Sequence, residues 1–358
     1  MSFSPIHPFD LNVLPPLKPI EGKEFHSALI KAHRELAELK GLNLGVPNPM
    51  LLLFPSILIQ ESVASSEIEA IHTTVEEVLQ EELFPENERR ESGKEVLRYR
   101  EALMWGFQNL DTLGLSTRLI RGVQERLIGE DGKYRRLQNG IKNKATGEII
   151  YTPPIASSIE RLMGNLENFM NSQDENLDPL LQCAIAHYQF EAIHPFGDGN
   201  GRTGRILMVL SLIKTEILNY PNLFISGYLI KHRSEYYDQL LAVTRDRSWN
   251  SYLQFMLQAF SRQAIRTKSI LGKIMTGYFE YKELIAKEHK RIYSADLISH
   301  LFSSPFTTPT RMGSSMGIHY TTASSHLQEL EKAGLLKSSK VGRHRIFANI
   351  KLLNSLVE

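Results

Sequence analysis

The chain has 358 residues, 42% hydrophobic and 23% charged, with 41 Lys and Arg against 40 Asp and Glu. That length supports two or three domains with a substantial core. The ordinary composition excludes a disordered chain, and the near-zero net charge excludes a whole-chain polyanion binder while leaving room for a local basic patch. A single cysteine excludes an intrachain disulfide and suits a reducing cytosol. Cys183 sits among Leu181, Ala184 and Ile185, which points to a buried structural role. Met1 to Asp10 lacks a basic stretch followed by an apolar one, and the greasiest windows, Met50 to Ile59 and Ile206 to Ile213, are too short to span a bilayer. A cytoplasmic protein without membrane contact is the expectation.

The N-terminal arm is Pro-rich, and Ala28 to Lys40 reads as a first amphipathic helix. Pro55-Ser56 opens a second that runs to about Ile71. Thr74 with Glu77 three residues on has the form of a capping box, heading a short helix through Leu83. Lys94 to Leu110 and Thr117 to Ile128 follow, with Gly114 and Gly129 at their ends. Ile141 to Tyr151 alternates as a hairpin about Ala145-Thr146-Gly147 and is closed by Pro153-Pro154. Helices resume over 157–170, 179–192, 202–216, 235–245 and 249–273. A charged stretch, Lys282 to Arg291, then separates off a C-terminal region. The expected divisions are residues 1–112, 113–275 and 285–358.

One run stands apart: His194-Pro195-Phe196-Gly197-Asp198-Gly199-Asn200-Gly201-Arg202-Thr203-Gly204-Arg205. A packed core does not require this set, whereas a nucleotide triphosphate gives each residue type a task. Glycines let successive N–H groups converge on phosphate oxygens, and the apolar Ile206 to Leu210 places that nest at a helix N-terminus, where orphan N–H groups favour anions. Asp198 is a hard oxygen donor suited to Mg²⁺ (or Mn²⁺) that keeps its waters and binds phosphates. Arg202 and Arg205 share a helix face and offer charge-assisted contacts to phosphate. His194, with an ordinary pKa of roughly 6.5, is a base able to take a hydroxyl proton at neutral pH. His7-Pro8-Phe9-Asp10 repeats the opening letters with no glycine cradle or arginine behind them, and reads as coincidence.

The run resembles HxFx(D/E)GNGRxxR, the signature of the Fic family, at every specified position. The resemblance implies a mainly α fold, a Fic-type helical core with a β-hairpin flap. It also implies a protein adenylyltransferase, transferring AMP from ATP to a Ser, Thr or Tyr hydroxyl of a target protein or of the chain itself. Carried over by position, His194 is the general base, Asp198 the metal ligand, and Gly199, Asn200 and Gly201 the phosphate cradle. Arg202 would hold phosphates nearer the α position and Arg205 the γ-phosphate. Members of the wider family that transfer phosphate carry a lysine where this chain has Gly201. The hairpin becomes the flap that receives the target's backbone as an added strand, with Asn143, Lys144, Glu148, Ile149 and Ile150 on that side. Tyr236 and Tyr237 are either adenine contacts or core aromatics at the head of a helix.

Ser65-Ser66-Glu67-Ile68-Glu69-Ala70 resembles the inhibitory motif (S/T)xxxE(G/N) of that family. Ser65 and Glu69 match. Ala70 replaces the glycine or asparagine, and alanine does not readily take the positive φ of such a helix end. If Glu69 pairs with Arg205, the arginine cannot hold the γ-phosphate. A charge-assisted pair of roughly 1.5–3 kcal/mol leaves about ten percent down to one percent in the released state.

In the C-terminal region, helices over 294–302, 308–316 and 320–333 are followed by two short strands, 335–336 and 345–350, around Lys337, Lys340, Gly342, Arg343 and Arg345. This order resembles a winged helix-turn-helix domain. Thr321, Thr322, Ser324, Ser325 and Gln328 of its third helix would then face a DNA major groove. A protein-docking or homodimerising module is the competing reading. Two rivals to transferase activity stand beside it. One is a nucleotide-sensing DNA-binding regulator, and the other a hydrolase that removes AMP with Glu69 orienting water.

Overall fold

The computed structural model describes residues 3–16, 25–46, 49–52, 54–142, 146–172, 177–341 and 344–357. The chain is mainly helical. Helices α1 (His26–Leu42), α2 (Pro49–Leu52), α3 (Phe54–Ile68), α4 (Val75–Glu81), α5 (Glu91–Leu113) and α6 (Thr117–Ile128) precede a hairpin of β1 (Ile141–Lys142) and β2 (Ile149–Tyr151). Then come α7 (Ile159–Met170), α8 (Pro179–Ile193), α9 (Asn200–Lys214), α10 (Ser226–Lys231), α11 (Arg233–Asp246) and α12 (Trp249–Glu288). The C-terminal region holds α13 (Ala295–Ser303), β3 (Phe306–Thr307), α14 (Pro309–Met316), α15 (Tyr320–Lys332), β4 (Lys337–Val341), β5 (His344–Ala348) and α16 (Ile350–Val357).

Local chemistry sets the ends. Thr74 and Glu77 form the reciprocal capping box of α4, and Ser116 accepts from Leu119 N–H at the head of α6. Asp178 caps α8 with Pro179 at its first position, where the missing N–H costs nothing. Each such cap is worth about 1 kcal/mol.

Packing explains why α8 and α9 are central. Both are apolar around their whole circumference, with Leu180 to Phe190 and Ile206 to Leu212 buried without a break, so each needs neighbours on every side. They pack on each other, with α5, α6, α7 and α12 around them. Each fully buried Leu, Ile or Phe contributes about 1.5–3 kcal/mol, so the six-residue link 194–199 is clamped between two well-anchored helices. Cys183 is buried in α8 and its thiol is pushed up to about 12 by that burial, the behaviour of a structural residue.

Some expectations shift. The helix expected to stop at Lys273 runs to Glu288, because Ile270, Ile274, Tyr278, Tyr281 and Ile285 continue one buried face while the charges of 282–288 line its outside. Ala70 takes φ 64° despite its Cβ. Strand β4 begins two residues later than expected, since Leu335 and Leu336 are buried in the turn before it. Helices α10 and α16 are additions.

The C-terminal sheet has the order β3-β5-β4, antiparallel throughout, behind α13, α14 and α15, the arrangement of a winged helix. It rests on the N-terminal region: α16 packs on α3 and α4, Arg311 lies 3.8 Å from Glu82, and the Phe84 and His344 rings are 5.2 Å apart. Gly342 and Arg343 lie outside the described residues.

Candidate active site

The loop begins where α8 ends. His194 is its C-cap, in the left-handed conformation (φ 49°, ψ 60°), a geometry that costs a non-glycine residue about 1–2 kcal/mol and must be held from outside. Phe196 supplies an anchor: its ring is fully buried against Tyr134 and Phe190. Asn200 supplies another, because its side chain accepts from Phe196 N–H and donates to Phe196 carbonyl, both at 2.8 Å.

Those two bonds limit what Asn200 offers a cradle. The Asn200 amide staples the loop, so only its backbone N–H remains for a phosphate. Helix α9 starts there, and the N–H groups of Asn200, Gly201 and Arg202 have no carbonyl within the helix to donate to. Gly199 precedes them at φ 78°, and a Cβ on it would meet Ile128 at 2.8 Å, so glycine is required twice over. The nest is therefore built, and it opens beside Asp198.

Asp198 keeps its side chain 75% exposed, with Oδ1 accepting from Gly199 N–H at 2.6 Å. Among the described residues no group of three His, Cys, Asp or Glu side chains comes together to cage a metal. One exposed carboxylate beside an anion nest fits an ion held mainly by phosphates and water, as Mg²⁺ usually is.

The two arginines differ from the simplest expectation. Arg202 is buried and its guanidinium binds Glu95 of α5 at 3.0 Å, 3.6 Å from Asp198. Arg205 is fully buried: Nε donates to Ser65 Oγ at 2.8 Å, and one terminal nitrogen donates to Ser65 carbonyl and to Glu69 Oε1, both at 2.9 Å. Burial opposes that charge while Glu69 more than restores it, so the guanidinium stays protonated. The Glu69 carboxylate lies over Gly201, where any Cβ would run into Oε1. An acidic oxygen thus lies against the first turn of α9.

Burial lowers the His194 pKa to about 4, opposed by the Glu191 backbone and by Glu69 and Asp198, with the Arg135 charge acting in the same direction as burial. The imidazole is neutral at pH 7, and its Nδ1 is buried without a hydrogen-bond partner among the described residues. Beneath the loop, burial raises Glu191 to about 8, with Arg205 opposing and Glu69 adding to the rise.

Tyr236 requires a correction. It is 1% exposed, donates or accepts through its hydroxyl with His187 at 2.7 Å, and its ring lies near Phe255, so it is core and unavailable to adenine. Tyr237, 37% exposed, lies close enough to Glu69 and Arg205 for their charges to act on its hydroxyl, whose pKa is raised mainly by burial. It remains the aromatic on the site's rim. In the hairpin, Ile141 pairs with Tyr151 and Lys142 with Ile149, with a bulge between. Glu148 is exposed and Ile149 and Ile150 are half-buried; Asn143 and Lys144 lie outside the described residues.

Two contributors escaped the sequence reading. Glu95 carries no motif signal beyond lying in an amphipathic helix. Arg135, beside Tyr134, is buried and binds the carbonyl of His194 itself at 2.9 Å.

Comparison with known proteins gives three family matches: the Fic/DOC family N-terminal model over residues 26–108, the Fic/DOC family model over 114–212, and the model described as the C-terminal domain of SoFic-like protein adenylyltransferase over 279–352. A curated relative from Aedes aegypti, named protein adenylyltransferase Fic, is 32% identical over 149 residues, 40% of this chain and 27% of that protein. The chain therefore spans about a quarter of the length of the curated relatives it matches. A crystal structure of a Fic family protein from Desulfovibrio desulfuricans G20 superposes with a TM-score of 0.57 over 94% of this chain and 98% of that one at 19% identity. A Fic domain containing signaling protein from Bacteroides thetaiotaomicron gives 0.55 over 69% and 97% at 20% identity. Both share the fold.

Proposed function

The chain belongs to the Fic family, and from that premise we propose that it is a protein adenylyltransferase held back by its own Glu69. ATP binds with its phosphates on the N–H groups of Asn200, Gly201 and Arg202. His194 takes the proton of a Ser, Thr or Tyr hydroxyl, the freed oxygen attacks the α-phosphorus, and the bond to the β-phosphate oxygen breaks with pyrophosphate leaving. Asp198 would hold Mg²⁺ or Mn²⁺, which when bound neutralises charge on the phosphates. Arg202 shifts from Glu95 toward the phosphates, and Tyr237 borders the adenine.

The observation carrying this reading is the neutral histidine at the mouth of an anion nest whose place is taken by a carboxylate. Glu69 and a γ-phosphate compete for one guanidinium, Arg205. While the pair persists, ATP binds without its α-phosphorus aligned to the base. Ser65 strengthens the brake, since it supplies two of the three bonds that hold Arg205.

Substrate protein adds to the flap as a strand, which fixes main-chain register and leaves its side chains free to vary. The C-terminal domain serves partner recognition. Thr321, Thr322, Ser325 and Gln328 are exposed on one side of α15, with Lys337 and Lys340 on the neighbouring strand, and duplex DNA is the partner assigned to that surface. Affinity for mixed duplex DNA that falls steeply with added salt is the expected result; no binding at low salt would reassign the domain to protein docking.

The test of the reaction is His194→Ala. Transfer of labelled AMP falls by about 10²–10⁴-fold, while ATP affinity by calorimetry stays near that of the parent. Retained turnover would place the base elsewhere.

A further inference from the structure

Arg135 is a buried cation, 8% exposed, and no carboxylate pairs with it among the described residues. A guanidinium does not shed its charge at any ordinary pH, so leaving water must be offset by other contacts. Backbone carbonyls from three separate segments do so. Nε donates to His194 carbonyl at 2.9 Å, one terminal nitrogen to Leu137 carbonyl at 3.2 Å, and the other to Pro154 carbonyl at 2.5 Å. Its own N–H donates to Pro195 carbonyl at 2.8 Å.

These partners have a pattern. Leu137 and Pro154 flank the hairpin on either side at its base, while His194 and Pro195 are the start of the catalytic loop. Tyr151 adds a parallel tie, its hydroxyl donating to Ala192 carbonyl at 2.8 Å, and Gln138 reaches Pro153 carbonyl at 2.8 Å. Flap base and loop are thereby one rigid unit with a guanidinium at its centre. The left-handed conformation of His194 also receives its external support here, from two bonds that fix the carbonyls of residues 194 and 195.

We propose that Arg135 is the positioning residue that holds His194 in its base-ready conformation and sets the register between the imidazole and a hydroxyl carried on the flap. The proposal rests on the reading of His194 as the general base. A misplacement of about 1 Å at a reacting group costs on the order of 10²-fold in rate, and three carbonyls on one planar fork supply the required rigidity. Lysine at this position would retain the charge yet reach one carbonyl at a time. Glutamine would lose both charge and fork.

Two measurements on the full chain, each made on the parent, Arg135→Lys and Arg135→Gln, test it. The first is steady-state transfer to a protein target with ATP affinity measured separately by calorimetry. In Arg135→Lys kcat falls about tenfold or more with ATP Kd unchanged. Unchanged kcat, or a Kd that weakens in step with kcat, overturns the proposal. The second requires no turnover: the His194 ring is titrated by NMR without nucleotide. The charged groups acting on that ring are Arg135 from the hairpin side, Glu69 from the end of α3 and Asp198 from the loop. Burial remains the main influence holding the ring down; removing Arg135 takes away the second, so the titration moves up in Arg135→Gln and less in Arg135→Lys. An unmoved ring in Arg135→Gln overturns the proposal whatever the rates are. A ring that moves in Arg135→Gln while the parent transfers no AMP keeps Arg135 as the holder of His194 and removes the transferase reading instead.

Discussion

The loop end of the site, proposed to take the nucleotide, and the hairpin end, proposed to take the target, are built differently. At residues 199–205 every charged group is matched: Arg205 by Ser65 and Glu69, Arg202 by Glu95, the helix N-terminus by a carboxylate above Gly201. At the base of the hairpin the main-chain carbonyls of Leu137, Pro153 and Pro154 accept from Arg135 and Gln138, and Glu148 and Leu137 are exposed. The first end specifies one ligand chemistry through side chains in fixed places. The second specifies a backbone course and leaves side chains open, the arrangement that the proposed strand addition by a target protein requires.

That contrast predicts a graded series of effects. The largest on stability is at the loop's anchor: Phe196→Ala costs about 3–5 kcal/mol in chemical denaturation, because a fully buried aromatic leaves a cavity between α8 and the loop. A loss under 1 kcal/mol would show that the loop is held by its hydrogen bonds alone.

Next is the brake. Glu69→Gly removes the anion from Arg205 and raises AMP transfer about 10–100-fold, the population shift expected from a charge-assisted pair. Equal initial rates in the two proteins would dismiss the brake.

The pH dependence of kcat/KM, which reports the free enzyme, carries a further test. With His194 lowered to about 4 by burial, kcat/KM stays level from pH 8 through 6.5 and declines only toward 4. Stability follows the same group. The unfolded chain takes up its proton near the ordinary value first, so the contribution of the neutral imidazole is present above about 6.5 and is lost as pH falls from there toward 4. A kcat/KM limb centred at 6.5 would mean that the ring is solvated in the working enzyme.

Smaller effects follow. Ala70→Gly relieves a left-handed alanine and stabilises the end of α3 by about 1 kcal/mol, which raises the melting temperature and lowers basal transfer. An unchanged melting temperature would count against strain there. At the target end, Ile150→Val changes transfer by less than about threefold, since main-chain pairing carries the contact; a loss beyond tenfold would mean that the flap reads side chains.

The same contrast decides what was legible in the sequence. The loop was readable because its residue types are costly outside their chemistry, and Ser65 and Glu69 because helical spacing puts them on one face. Tyr236 was ambiguous for a physical reason: a tyrosine beneath a site and one on its rim have the same neighbours in sequence, and only the bond to His187 separates them. The fold of the Asn200 amide back onto Phe196, a local turn contact, is not revealed by spacing. Arg135 and Glu95 act across 59 and 107 residues of chain, so no window of sequence holds both partners. The length of α12 was hidden by charges, which cover its outer face while the apolar face continues beneath.

The most direct test of the central claim is the intact mass of the Glu69→Gly protein after incubation with ATP and Mg²⁺, beside the same protein carrying His194→Ala. A mass gain of one adenylate on the first and none on the second is the predicted result. An unmodified Glu69→Gly protein that also leaves every added protein substrate unmodified, or a gain that persists without His194, would contradict it.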